Sequence, residues 1–252
     1  MSRVPVAERR LARCAAANNG HLAKLPGRLL LRAFFEHSPE QVAPQLLGKL
    51  LVRRTRAGLL VGRLVEVEAY LGPHNDPPDP AAHAHRGRTP RNAVLFGPAG
   101  HAYVYSIYGR YFCMNISCEA EGRAGCVLLR ALEPVAGVEQ MARNRGLSPP
   151  GRGPVRGDPG LQPGAAARQL TSGPGRLCQA LSLTRAAHNG LDLLDPASPL
   201  QVRDDGFSAR EVLVTPRIGI RHAAERLLRF ALAGNACVSG PRTLVGRRAF
   251  LG

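Results

Sequence analysis

The sequence of 252 residues has no tryptophan and only two lysines, Lys24 and Lys49. Arginine therefore supplies nearly all of its 34 cationic side chains. A planar guanidinium fork suits phosphates and base edges better than an ammonium does, although a GC-rich coding sequence would favour arginine as well. Scarce lysine also bears on chemistry, because a Schiff-base enzyme needs an amine nucleophile. Acidic residues are few too. Eighteen Asp and Glu leave a net charge of +16, a field that attracts a polyanion, nucleic acid first and an anionic membrane surface second. The six cysteines, at 14, 113, 118, 126, 178 and 237, include no C-x-x-C pair, which argues against a zinc ribbon and a disulfide scaffold. They read as free thiols in a reducing compartment, the cytoplasm of a bacterium or the nucleus of a eukaryote. No apolar run approaches the roughly 18 residues of a membrane span. Residues 1–30 lack a secretory core and read as a basic, flexible arm, with an organelle-targeting peptide as the alternative.

Beyond the arm, one domain is expected over 31–252. Ser38 precedes a short helical stretch, and "KLLVRR" and "GLLVGRLVEVEAY" read as strands around a turn near Ala57 and Gly58. Residues 72–100, rich in Pro, Gly, His and Arg, read as an extended surface loop. "HAYVYSIYGRYFCMNIS" reads as a hairpin turning at Tyr108-Gly109-Arg110, where glycine supplies a positive φ. "GCVLLRALEP" adds a strand, and "VEQMARNRG" and "TSGPGRLCQALSL" add helices. Between those helices, residues 146–164 are so dense in Gly and Pro that a mobile loop is expected. The fold class is α+β: a compact domain with a curved, mostly antiparallel sheet, flanking helices and a protruding hairpin.

Two carboxylates in the strand "LVEVEAYLGP" demand an explanation, since buried carboxylates are costly unless paired or used. Strand alternation puts Leu64, Glu66, Glu68 and Tyr70 on one face and Val65, Val67, Ala69 and Leu71 on the other. In the hairpin, Tyr103 falls opposite Asn115 and Tyr105 opposite Cys113, leaving Tyr108 at the tip. An aromatic there forgoes burial and suits a wedge that enters a base stack. The residues by themselves do not choose between Glu66 and Glu68 as a general base.

The blocks "VEVEAYLGP", "HAHRGRTPRNAVLFGPAGHAYVYSIYGRYFCMN", "VLLRALEP" and "SGPGRLCQAL" resemble, in order and at similar separations, the motifs of the alkyladenine (3-methyladenine) DNA glycosylase family. A weaker echo lies in "RIGIRHA" and "LRF". The resemblance implies a monofunctional enzyme without cofactor or metal, acting as a monomer on double-stranded DNA that contains a damaged purine. Such an enzyme flips out an alkylated or deaminated purine, 3-methyladenine, hypoxanthine and ethenoadenine among them, and hydrolyses its N-glycosidic bond. It assigns Glu68 as the general base and Arg130 as the group that helps hold the water. Tyr70, His83 and Tyr105 match the side chains that sandwich the base, Asn115 the one that crowds a guanine amino group, and Leu128 a pocket wall. Tyr108 matches the wedge. Arg110 replaces a common methionine beside it, and a Pro-rich piece, "HNDPPDP", precedes His83, with His85 two residues further on.

Plainer readings stand beside these. Glu66 reads as a surface or hydrogen-bonded carboxylate, Arg130 can pair with Glu133, and the tyrosines can be packing residues. Arg88, Arg91 and Arg176 read as part of a phosphate-contacting patch with Arg110, the patch mattering more than any member. A rival enzyme reading uses His74, Asp76, Asp79, His83 and His85 as metal ligands of a phosphoesterase or nuclease. A third reading is a non-catalytic DNA-binding module built on the hairpin.

Overall fold

The structure, a computed structural model, describes residues 25–148, 163–240 and 247–250. Its chain begins with a short strand β1 (Arg28–Leu29), inside the stretch read as an arm, and continues into α1 (Pro39–Leu46), β2 (Leu50–Thr55) and the long β3 (Gly58–Tyr70). The hairpin strands β4 (Ala102–Ile107) and β5 (Tyr111–Cys118) lead to β6 (Gly125–Ala136) and α2 (Val138–Asn144). Helices α3 (Pro163–Thr171), α4 (Pro174–Ala180) and α5 (Arg185–His188) precede β7 (Leu200–Asp204), β8 (Glu211–Thr215), β9 (Arg229–Leu232) and β10 (Arg247–Phe250). Most of the Gly/Pro-rich stretch falls outside the described residues; its last two residues, Pro163 and Gly164, already belong to α3, where proline's fixed φ is tolerated in a first turn.

Among the described residues ten strands form one sheet in the order β1-β7-β2-β3-β6-β5-β4, and β8, β9 and β10 join as a branch at β3. Every pairing is antiparallel, as the α+β expectation requires. The 13 residues of β3 serve two neighbours on one side. Its first half pairs β2 through Gly58–Arg63, and Glu66, Val67 and Glu68 pair β9. Two register shifts against β6, flanking Glu66, mark where the partner changes; such irregularities locally re-aim side chains.

The two faces of the sheet have different fates. Val65, Val67, Ala69, Val127, Leu129, Met114, Ile116 and Val104 share the main core with residues of α1 and α4. Each fully buried Val, Leu, Ile or Met in that layer contributes about 1.5–3 kcal/mol, which fixes the register, since a slip by one residue would turn the layer outward. The opposite face carries Tyr70, Tyr103, Tyr105 and Cys126, packed with Ala84 and Leu95 from the loop that follows β3.

That loop is mostly surface, in line with its reading, but it contains two buried polar residues. Asp79 and Asn92 are buried within it and act as internal fasteners. Asn92 Nδ2 donates to the carbonyls of His83 (2.9 Å) and Gly87 (3.1 Å), while its Oδ1 accepts from the Thr89 N–H (2.6 Å). Cys113, Cys118, Cys126, Cys178 and Cys237 are buried free thiols, in line with the expectation; Cys14 lies outside the described residues. Among the described residues no helix is long and apolar enough to cross a membrane.

Candidate active site

Cross-strand register assembles the site. Glu68 lies opposite Leu128 and Tyr70 opposite Cys126. Leu128 also faces Asn115 across the next ladder, Asn115 faces Tyr103, and Cys113 faces Tyr105. Directly opposed residues share a face, so residues distant in sequence become one row. Tyr70, Tyr105, Asn115 and Leu128 line a cleft of about 330 Å³ together with His83, Arg130, Arg91, Tyr108, Pro174 and the 218–220 segment.

Glu68 is fully buried beneath these walls. Its Oε2 accepts from the Tyr70 hydroxyl (2.9 Å) and its Oε1 from the Ile218 N–H (2.8 Å), while Arg130 Nη1 lies 3.2 Å from Oε1. All three donors belong to residues that line the cleft. The carboxylate is thus held on both oxygens by residues of the cleft wall.

Glu66 is equally buried, which corrects the surface half of its reading, and it is saturated with donors. Its Oε1 accepts from Arg130 Nε (2.8 Å), Arg229 Nε (2.7 Å) and Ser239 Oγ (2.8 Å), and its Oε2 from the Ser239 N–H (2.6 Å). Burial opposes ionisation here, but Arg130, Arg229 and the Ser239 N–H outweigh it and hold the carboxyl below its usual range. Arg130 does not pair with Glu133, whose carboxylate accepts from Asn235 (3.2 Å); its guanidinium joins the two strand carboxylates.

The three aromatic walls, Tyr70, Tyr105 and His83, are uncharged near neutral pH. Burial, then the Glu68 carboxylate, pushes the Tyr70 phenol well up, and burial, then the Cys113 thiol, does the same for Tyr105. His83 keeps one edge in solvent, yet the water lost around its inner edge, 3.0 Å from the Tyr103 hydroxyl, and the neighbouring Arg91 lower its pKa. Its ring meets Tyr105 edge to face at 4.5 Å. These three side chains present aromatic surface and add no positive charge of their own to that of Arg91 and Arg130 in the lining.

At the hairpin tip, Gly109 has φ 73° as expected, but Tyr108 also has positive φ, 50°. A non-glycine residue there is held at a cost of order 1 kcal/mol, a pattern that clusters at functional positions. Tyr108 is 89% exposed. Arg110 sits beside it, 5.9 Å from the Tyr111 ring centroid, and Arg91 lies 5.7 Å over Tyr105. Arg88, Arg110 and Arg176 are exposed and outside the cleft wall. His85 falls outside the cleft, in a neighbouring pocket with Arg86 and His222.

The proposed metal ligands are not gathered: Asp79 faces inward onto Arg217, and among the described residues no three His, Cys, Asp or Glu side chains converge. Sequence reading passed over Arg217 and Arg229, and offered Asp79 only as a metal ligand. Arg217 and Arg229 lie in the weak echoes "RIGIRHA" and "LRF", whose only signal was a cation inside an apolar stretch. Glu66 and Asp79 yield a pH prediction. Asp79, like Glu66, is held below its usual range; burial opposes ionisation, and Arg217 outweighs it. Both therefore stabilise the fold fully above the unfolded carboxylate pKa and lose that contribution as pH falls toward their depressed folded values. Thermal melts at constant ionic strength should fall from about pH 5 downward; a melting temperature unchanged between pH 5 and pH 3 would contradict the assignment.

Comparison with known proteins gives the family. Residues 33–236 match the model of the methylpurine-DNA glycosylase family. A protein of Koribacter versatilis, provisionally named 3-methyladenine DNA glycosylase, is 51% identical over 223 residues, 88% of this chain and 96% of its own. Relatives with the same provisional name from Rhodopseudomonas palustris (44% identical, covering 87% of this chain and 96% of its own) and the archaeon Methanoculleus marisnigri (44%, covering 82% and 96%) extend the match. With four-fifths of its length inside the family model and half its aligned residues shared with one relative, the chain belongs to the methylpurine-DNA glycosylase family.

Proposed function

We propose that this protein is a DNA glycosylase that turns an alkylated or deaminated purine nucleotide out of duplex DNA and hydrolyses its N-glycosidic bond with water activated at Glu68. The observation that carries the reading is the placement of a fully buried, oriented carboxylate directly beneath a cleft walled by Tyr70, His83 and Tyr105. A purine fits between such walls, and one made cationic by methylation gains about 0.5–2 kcal/mol over an aromatic face. Asn115 donates to the Tyr103 carbonyl (3.3 Å), which fixes its amide as a shape filter on the cleft floor.

In the reaction, Glu68 accepts a proton from water while the water oxygen forms a bond to C1′. The N-glycosidic bond breaks, and its electron pair goes to the purine nitrogen. A cationic base leaves neutral; a neutral base must gain a proton from solvent or from the site. The sugar passes through an oxocarbenium-like state, whose positive charge the same carboxylate offsets. Free base and an abasic sugar with a C1′ hydroxyl are the products. Among the described residues the one lysine, Lys49, is ion-paired with Asp204 at 3.1 Å and does not line the cleft, and the reading is hydrolysis by water without an amine nucleophile.

The test is single-turnover release of free base from duplex carrying one hypoxanthine or 3-methyladenine, with excess chelator present. Release that survives the chelator, with no covalent adduct trapped by borohydride, is the expected result. Chelator sensitivity would instead favour the metal reading, and intact binding without release the binding module.

Tyr108 carries a separate prediction. As a wedge filling the gap left by the flipped base, its replacement in Tyr108→Ala should weaken binding to lesion-containing duplex by about 5- to 100-fold, the range of one lost stacking contact. Stability should change by less than about 0.5 kcal/mol, because the side chain touches little else. Equal affinity of wild type and variant, measured by anisotropy titration, would remove the wedge assignment.

A further inference from the structure

Tyr70 has a second partner on the side away from the cleft. The Arg217 guanidinium lies 4.5 Å over its ring. The side chains of Arg217 and Asp79 are both fully buried, and neither lines the cleft. Arg217 and Asp79 form a fork, with Nη2 to Oδ1 at 2.9 Å and Nη1 to Oδ2, and Nη1 also donates to the Ala69 carbonyl (2.9 Å). Asp79 in turn accepts from the N–H groups of Leu71 (3.2 Å) and Ala81 (3.1 Å), two residues before His83. The residue after Arg217 is Ile218, whose N–H holds Glu68. One ion pair thus ties together both loops and the strand end that frame the cleft.

Its charge matters as much as its ties. Around Tyr70 and Glu68 the buried carboxylates Glu66, Glu68 and Asp79 face the buried guanidinia Arg130, Arg229 and Arg217, three of each sign. The interior beneath the cleft closes at zero net charge, and the aromatic walls add none. A cationic purine seated on Tyr70 would feel the Arg217 cation through one ring, offset by Asp79 behind it.

We propose that Arg217, held by Asp79 against the back of Tyr70, is a positioning residue that sets how the cleft discriminates cationic from neutral purines. The inference rests on the reading that Tyr70 walls the base and Glu68 activates water. Removing the cation should leave an uncompensated Asp79 and favour cationic bases; removing the carboxylate should leave an uncompensated Arg217 and disfavour them. In a poorly screened interior a unit charge at this range is enough to change a rate ratio by about tenfold.

The experiment compares single-turnover excision of 3-methyladenine, cationic in DNA, with that of hypoxanthine, neutral, in one duplex sequence. Wild type, Arg217→Gln, Asp79→Asn, Arg217→Lys and Glu68→Gln are measured in parallel. Both charge-removing variants should excise more slowly, as any loosened site would. The ratio of cationic to neutral excision should rise about 3- to 10-fold in Arg217→Gln and fall by a similar factor in Asp79→Asn. Arg217→Lys, which keeps the charge and loses the fork, should be slower with the ratio of wild type. The double variant Arg217→Gln/Asp79→Asn restores neutrality and should return the ratio toward wild type even if the single variants fold poorly. Ratios that move together or stay fixed, with wild type active and Glu68→Gln inactive, would overturn the role of Arg217 and leave the glycosylase reading standing. Equal release by wild type and Glu68→Gln would overturn the reading beneath it and this inference together.

Discussion

Glu68→Gln is expected to bind lesion-containing duplex as tightly as the wild type and to release the base about 10²- to 10⁴-fold more slowly, the usual contribution of a positioned general base. The amide is nearly the shape of the carboxylate, so the cleft should persist. Its Oε1 can still accept from the Ile218 N–H and face Arg130, as the carboxylate does at 2.8 and 3.2 Å. On the other side the Tyr70 hydroxyl, which now donates to Oε2 at 2.9 Å, would meet an amide N–H and accept from it. What is lost is the capacity to take a proton from water and the negative charge that opposes the developing oxocarbenium ion. Single-turnover kinetics beside an anisotropy titration separate the two effects. A rate loss below about tenfold would remove Glu68 from the role of general base. Glu66→Gln is the informative companion: its carboxylate is saturated by Arg130, Arg229 and Ser239, of which only Arg130 lines the cleft, whereas all three donors to Glu68 do. It should lose stability while keeping its chemistry if the two glutamates are divided as the geometry divides them.

Why this division was hidden in the sequence has a physical answer. The alternation of "LVEVEAY" correctly puts Glu66, Glu68 and Tyr70 on one face, and the hairpin register about Gly109 places Tyr103 opposite Asn115 and Tyr105 opposite Cys113. Those are local rules with a period of two, readable without any partner strand. The fate of Glu66 is not local. It depends on Arg130 from β6, Arg229 from β9 and the Ser239 backbone, separated from it by 64, 163 and 173 residues. Nothing in the strand itself distinguishes a carboxylate that meets three donors from one that meets water. Asp79 misled for the same reason: amid His74, Asp76, His83 and His85 it resembles a metal ligand, and only the return of Arg217 from 138 residues away turns it inward. The loop after β3 is largely exposed, as its Pro, Gly and His content suggested, but two buried polar residues, Asp79 and Asn92, fasten it from within, and composition does not reveal them. The short β1 is invisible to periodicity because two residues cannot display a period; its pairing with β7 defines it.

Glu66→Ala is expected to be the most destabilising single change at the site, by about 3–5 kcal/mol, because it strips the shared partner from two buried cations. Arg130 and Arg229 each place Nε within 2.8 Å of one Glu66 oxygen, and both are buried. Without the carboxylate they repel each other, and the Ser239 N–H loses its acceptor. For a chain of this size the loss corresponds to a drop in melting temperature of about 10 °C or more. The origin of the effect is testable by coupling. If uncompensated positive charge causes the loss, then Glu66→Ala/Arg229→Met, which removes one cation and fills its space with an unbranched apolar chain, should be more stable than Glu66→Ala alone. If instead the loss reflects only a cavity, the second substitution should add its own cost and the double variant should melt lower. Urea denaturation of wild type, Glu66→Ala, Arg229→Met and the double variant gives the interaction energy directly. A double variant less stable than Glu66→Ala would show that Glu66 serves the fold through packing, and would free Arg130 from the requirement that Glu66 hold its charge in place beside Glu68.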